Sequence, residues 1–175
     1  MKKVILLLFA AAVAVSSADI DVTGSVGLSY PTGKWGNSLN TGLDAGLSAR
    51  WLVTRSFRAG AGLSFSVFGS GDQGAASLTF VKPRLDLAYY LRPHGSTFNP
   101  GVTGSFGFCR SSLSNSGGTD PATWDPFWSL GLRWNFSVGG GFRGEVGFDY
   151  SSIMAEQQTG DTFDLKFALS REVSL

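Results

Sequence analysis

Residues 19–30 read DIDVTGSVGLSY, and their side chains alternate almost without fault. Ile20, Val22, Val26, Leu28 and Tyr30 share one parity, while Asp19, Asp21, Thr23, Ser25 and Ser29 share the other. Successive side chains of a strand point to opposite faces, so this spacing predicts a β-strand with one apolar and one polar side. Seven more segments follow with the same period.

Residues 41–53 set Leu43, Ala45, Leu47, Ala49, Trp51 and Val53 against Asp44, Gly46, Ser48 and Arg50. Residues 57–68 set Phe57, Ala59, Ala61, Leu63, Phe65 and Val67 against Arg58, Gly60, Ser64 and Ser66. Between about 75 and 91, Val81, Leu85, Leu87, Tyr89 and Leu91 oppose Lys82, Arg84 and Asp86. Pro83 has no N–H for a ladder, which predicts a bulge or a local gap in pairing there. Residues 98–110 carry Phe98, Val102, Phe106 and Phe108 against Asn99, Thr103, Ser105 and Cys109. Residues 124–136 carry Trp128, Leu130, Leu132, Trp134 and Phe136 against Ser129, Arg133 and Asn135. Residues 142–150 carry Phe142, Val146, Phe148 and Tyr150 against Arg143, Glu145 and Asp149. Residues 161–175 close the series, with Phe163, Leu165, Phe167, Leu169, Val173 and Leu175 against Asp164, Lys166, Ser170 and Glu172. No segment competes with a helical period.

Hairpin parity tests the same assignment independently, because directly opposite residues must share a face. A turn centred on Gly139 pairs Phe136 with Phe142 and Arg133 with Glu145. One around Arg55 pairs Leu52 with Arg58, and one in RPHGST pairs Leu91 with Phe98. Each pair shares a face, which predicts one antiparallel meander.

The first 18 residues have another character. A basic MKK, an apolar run VILLLFAAAVAV and small residues at Ser16 and Ala18 form a secretory signal peptide, with cleavage expected after Ala18. The run is short for an uncleaved membrane helix, which needs roughly 20 apolar residues. Residues 19–175 then make one domain. Cys109 is the single cysteine, so no intrachain disulfide can staple an exported fold. A formal charge of +1 argues against general nucleic-acid binding. The 24 glycines come with 14 Phe, 5 Trp and 4 Tyr, an aromatic content that separates the chain from disordered sequences and suits a β-barrel.

Which way the apolar face points is open between two architectures: outward to lipid, or inward to the ligand cavity of a secreted lipocalin-like barrel. Two features favour lipid. The polar parity is mostly Gly, Ser, Thr and Asn with a limited set of charges, which suits a crowded interior, and the apolar parity carries no charge through mid-strand. Aromatics also gather at strand ends: Trp51, Phe57, Tyr89, Phe98, Trp134, Phe136 and Phe142 at one, Tyr30, Phe108, Trp128 and Tyr150 at the other. Such rings mark the two interfaces of a membrane barrel. Longer connections alternate with shorter ones, the habit of outer-membrane barrels with their turns in the periplasm. The expected fold is an eight-stranded antiparallel up-and-down transmembrane β-barrel.

With GLSYPTG ending the first strand, KPRLDLAYYL as the fourth and an alternating C-terminus, residues 19–175 resemble the small eight-stranded outer-membrane barrels of the OmpA/OmpX type, the porin-family barrels of the Gram-negative envelope. The resemblance implies an integral outer-membrane protein, a monomer surrounded by outer-membrane lipid and lipopolysaccharide. It also implies delivery by periplasmic chaperones and insertion by the outer-membrane assembly machinery. Many such chains end in Phe or Trp, whereas this one ends in REVSL.

An eight-stranded barrel leaves a lumen that side chains can fill. The inward parity offers Asp44, Asp86, Glu145, Asp149 and Asp164 against Arg50, Arg58, Lys82, Arg84, Arg133, Arg143 and Lys166, predicting an ion-pair network that plugs it. A narrow conducting pore is the alternative. No catalytic or cofactor constellation is visible. His94, the single histidine, falls in a short turn; Cys109 reads as an inward-facing filler; one His and one Cys cannot supply transition-metal spacing. Asp120 and Asp125 are loop acids, and the Gly-x-Gly repeats lie inside strands. The polar loops PTGKWGNSLN, GSGDQG, SSLSNSGGTDPAT and SSIMAEQQTG would hold any surface activity, with Lys34 and Trp35 as an adhesive or lipopolysaccharide contact. Three functions stay in play: a structural or adhesive barrel, a small channel, and a secreted binding barrel.

Overall fold

The computed structural model describes residues 19–33, 35–69, 76–93, 96–115, 118–119, 122–155 and 160–173. The expected signal peptide, Lys34, His94, Asp120 and Leu175 lie outside these residues. Its strands are β1 (Ile20–Thr32), β2 (Gly42–Leu52), β3 (Phe57–Gly69), β4 (Ser77–Tyr90), β5 (Phe98–Asn115), β6 (Gly118–Thr119), β7 (Thr123–Gly139), β8 (Phe142–Ile153) and β9 (Gly160–Val173). Eight of them form the wall, each antiparallel to its neighbours. β6 is a two-residue flap on the far end of β5. The sheet order β4-β3-β2-β1-β9-β8-β7-β5 closes through a further β4–β5 pairing, so the barrel has no free edge.

The register gives the barrel its shape. Following directly paired residues from Ile20 leads through Trp51, Ala59, Leu87, Gly104, Leu130, Tyr150 and Phe163, and returns to β1 at Tyr30, ten residues along. At about 3.3 Å per residue and about 4.8 Å between strands, that stagger tilts the strands by roughly 40°. The whole chosen path lies on one parity, so one set of side chains faces out all round the barrel.

Two hairpin registers differ from the expectation by two residues. Phe136 lies opposite Gly144 and Arg133 opposite Gly147, because the turn is tighter than a five-residue loop and a bulge intervenes between Ser137 and Gly139. Gly139, Gly140 and Gly141 all have positive φ (100°, 61° and 79°), a left-handed run open to glycine alone at low cost. Likewise Tyr89 faces Val102, and Leu91 donates to the Pro100 carbonyl at 2.9 Å, so Leu91 is not opposite Phe98. A shift of two preserves which face each side chain occupies. The Leu52–Arg58 pairing is as expected. At Pro83 the β4–β5 ladder has a gap with no bulge: pairing runs to Val81–Arg110 and resumes at Arg84–Gly107 in the same register.

Between β1 and β2 a single 3₁₀ turn, η1 (Trp35–Asn37), is tied by N–H groups of Ser38 and Leu39 to the Trp35 carbonyl. It lays the Trp35 indole on Phe80, with centroids 5.3 Å apart and planes 19° from parallel.

Candidate functional site

The lumen is the best-defined chemical environment among the described residues, and its contents change along the axis. At the end where the longer connections lie, Phe68, Phe80, Cys109, Phe127 and Ile153 are buried together, with Trp35, Leu39 and Leu78 packed against them. An apolar plug inside the barrel was not expected: these residues stand on the parity read as polar. The signal was present as adjacent pairs of large apolar residues, Val67-Phe68, Phe80-Val81 and Phe127-Trp128, which make both faces of a strand apolar at that level. Cys109 does face inward as a filler.

Below the plug the lumen is ionic. Of the charged residues on the inward parity, Asp44, Arg50, Arg58, Lys82, Asp86, Arg133, Arg143, Glu145, Asp149 and Asp164 are buried, and the side chains of Arg84 and Lys166 are nearly so. Asp21, seen on the polar parity of β1 but left out of that set, joins them by pairing with Arg58. The centre is Arg133, whose Nε lies 3.2 Å from Glu145 and whose Nη2 lies 2.5 Å from Asp149. Glu145 also accepts a hydrogen bond from the Tyr90 hydroxyl (2.7 Å) and sits 3.6 Å from Arg50. Lys166 joins Asp44 (3.2 Å), Asp149 (3.5 Å) and Asp164 (3.7 Å). Arg84 holds Asp86 at 2.8 Å, and the Ser105 hydroxyl donates to the same carboxylate at 2.7 Å.

Hydroxyls and amides complete the set. Ser66 donates to Asp44 (2.7 Å), Ser29 to Asp164, and Arg50 to the Thr23 hydroxyl (3.1 Å). At the turn end, Arg143 donates to the Asn135 amide oxygen (2.7 Å) and the Ser96 carbonyl (2.9 Å), while Asn99 closes the β4–β5 turn by bonding Arg92 in both directions. The Arg58 guanidinium lies 4.6 Å from the centroid of the Tyr90 ring. Buried charge is tolerable only when paired and hydrogen-bonded in this way.

Glycine makes the room. A Cβ on Gly147 would collide with the Arg133 guanidinium, and one on Gly131 with the Asp149 carboxylate. Among the described residues the lumen keeps a cavity of about 50 Å³. At roughly 10–15 Å³ per water, it admits a handful of waters.

The outer face is the opposite in character. Of the expected aromatics, Tyr30, Tyr89, Phe98, Phe108, Trp128, Phe136, Phe142 and Tyr150 are exposed, and Trp51, Phe57 and Trp134 are half-buried on the same face. Phe57 pairs with Tyr89 and Phe98 with Phe136 at the turn end. Trp128 and Tyr150 meet at 5.7 Å toward the other, where Tyr150 pairs with Phe163 and Phe163 with Tyr30. Between these rings Val26, Leu47, Leu63, Leu85, Leu132 and Phe167 are exposed. On β9 the outward charges are Asp161 and Arg171, ten residues apart. With about 3.3 Å per residue and a tilt of roughly 40°, they bound an uncharged band about 25 Å tall. Arg171 lies over the Phe142 ring at 5.3 Å.

Among the described residues no group of His, Cys, Asp and Glu could hold a metal ion. Asp125 accepts from the Thr123 hydroxyl at 3.1 Å.

No family model matches the chain, and no curated protein matches it. Solved structures do match its fold. Neisserial surface protein A superposes with a TM-score of 0.70 at 11% identity, over 87% of this chain and 96% of that one. Ail, the attachment invasion locus protein of Yersinia pestis, in a complex with the heparin analogue sucrose octasulfate, gives 0.62 at 8% identity over 90% and 99%. The outer membrane enzyme PagL gives 0.55 at 17% identity over 85% and 97%. The chain therefore has the fold of the small eight-stranded outer-membrane β-barrels, a fold that carries adhesive and enzymatic proteins alike.

Proposed function

We propose that this protein is an integral outer-membrane β-barrel with a structural or surface-interaction role and a closed interior, exported through the signal peptide at residues 1–18 and working without catalysis or cofactor. The observation that carries the reading is the uncharged outer band, which goes all round the wall at about 25 Å, the height expected of a lipid-facing barrel surface. In water, so large an apolar surface would cause association. In a bilayer it is the face that lipid requires, with the aromatic rings at the two headgroup levels.

A binding barrel of the lipocalin kind needs the apolar parity inside and an open cavity; here the lumen holds the charges and about 50 Å³. A channel needs a path, and the ion pairs and the Phe68–Phe80 plug fill it. For catalysis at the outer surface, the hydroxyl–carboxylate pairs Ser29–Asp164 and Ser66–Asp44 are badly placed, being buried in the lumen. What is left to meet the outside is the set of loops between β1 and β2, β3 and β4, β5 and β7, and β8 and β9. The test is fractionation with gel mobility. The folded protein should enter the detergent-soluble membrane fraction and migrate differently boiled and unboiled. Recovery in the aqueous fraction, with one mobility, would refute the reading; stepwise conductance in planar bilayers would refute the closed lumen.

A further inference from the structure

Pairing off the lumen charges leaves two cations with no carboxylate in ion-pair distance among the described residues: Arg143, held by the Asn135 amide oxygen and the Ser96 carbonyl, and Lys82. Lys82 is 2% exposed, yet among the described residues no carboxylate lies within ion-pair distance of it and no hydrogen bond holds its ammonium group. The face of Phe80 lies beside it, with Nζ 5.8 Å from the ring centroid. A buried ammonium without a counter-charge is costly, and proteins seldom retain one.

Lys82 lines the lumen cavity, and so do Asp86, Glu145 and Asp149. None of these three is available. Asp86 is taken by Arg84 and Ser105, Glu145 by Tyr90, Arg133 and Arg50, and Asp149 by Arg133 and Lys166. Meanwhile the wall around Lys82 has donors to spare. Ser64 lies directly opposite it in the β3–β4 ladder and also lines the cavity. Arg84, the next inward residue of β4, gives its Nε to Asp86, and its two terminal nitrogens have no partner among the described residues.

We propose that the cavity beside Lys82 and Arg84 binds a small inorganic monovalent anion of chloride size. The Lys82 ammonium and the terminal N–H groups of Arg84 are its charged donors, and the Ser64 hydroxyl is its neutral one. About 50 Å³ accommodates such an ion with a few waters. The Trp35–Phe80 plug above it makes exchange in the folded barrel slow, so the ion is captured as the barrel closes.

The experiment refolds the full barrel from urea into detergent in sodium bromide and collects diffraction at the bromine edge. An anomalous peak within hydrogen-bond reach of Lys82 Nζ is expected, and none in Lys82→Met. A second measurement needs no variant. Protein refolded in sodium chloride should melt several degrees higher than protein refolded in sodium gluconate of equal ionic strength, saturably with chloride. Lys82→Met should melt alike in both. A cavity holding water alone after refolding in bromide, or equal melting of the wild type in the two salts, would overturn the proposal.

Discussion

Replacing Phe167 with arginine puts a charge where the proposed location of this protein makes it most expensive. Phe167 is 52% exposed on the outer face of β9 and lies one residue from the midpoint between Asp161 and Arg171, so it is within about 3 Å of mid-depth in the band. An arginine facing lipid at the midplane costs about 2–4 kcal/mol, and one near an interface about 0–1 kcal/mol. On the surface of a soluble barrel, by contrast, such a change stays within about 0.5 kcal/mol. Phe167→Ala corrects for the lost ring, and Val173→Arg, beyond Arg171, places the same charge at the interface. Equilibrium urea unfolding in phospholipid vesicles should show Phe167→Arg less stable than Phe167→Ala by about 2–4 kcal/mol, and Val173→Arg within about 1 kcal/mol of the wild type. Equal stabilities of Phe167→Arg and Phe167→Ala would refute the reasoning, since no position is then more hostile to charge than another.

Removing the lumen's central cation, Arg133→Ala, leaves Glu145 and Asp149 short of a partner and should cost about 3–5 kcal/mol in the same unfolding assay; a loss below 1 kcal/mol would mean that the network is idle. Gly141→Ala meets no atom within 4 Å, so its cost is that of a left-handed backbone alone, about 1–2 kcal/mol, read as a lowered unfolding midpoint. Cys109 is 0% exposed beneath the Trp35 plug and should resist a water-soluble maleimide in the folded wild type while labelling in Trp35→Ala; equal labelling of both would show that the plug does not seal the mouth.

Much of this architecture was legible because a strand's two-residue period forces each side chain to one face or the other. The outward set from Ile20 to Val173 and the twelve lumen charges follow from parity alone. Register is another matter. Parity survives a slip of two residues, so alternation could not tell Phe136–Phe142 from the observed Phe136–Gly144; the left-handed glycines of the turn decide it. The apolar plug was hidden for a different reason. Phe68, Phe80 and Phe127 each stand beside an outward-facing residue, and a reading that assigns one apolar and one polar face to every strand passes over the second member of such a pair. Nor does alternation reveal pairing partners: Asp21 lies 37 positions from Arg58 in sequence, and only the barrel's closure brings them together.

The central claim, that hydrocarbon surrounds the wall while the charges stay inside, is tested most directly with nitroxide labels placed singly from 163 to 169 on β9 in vesicles. Collision rates with dissolved oxygen should be high and those with a water-soluble nickel chelate low at 163, 165, 167 and 169, with both low at the inward positions between them. Outward labels that meet the nickel chelate as freely as a loop label would contradict it, because the band would then face water.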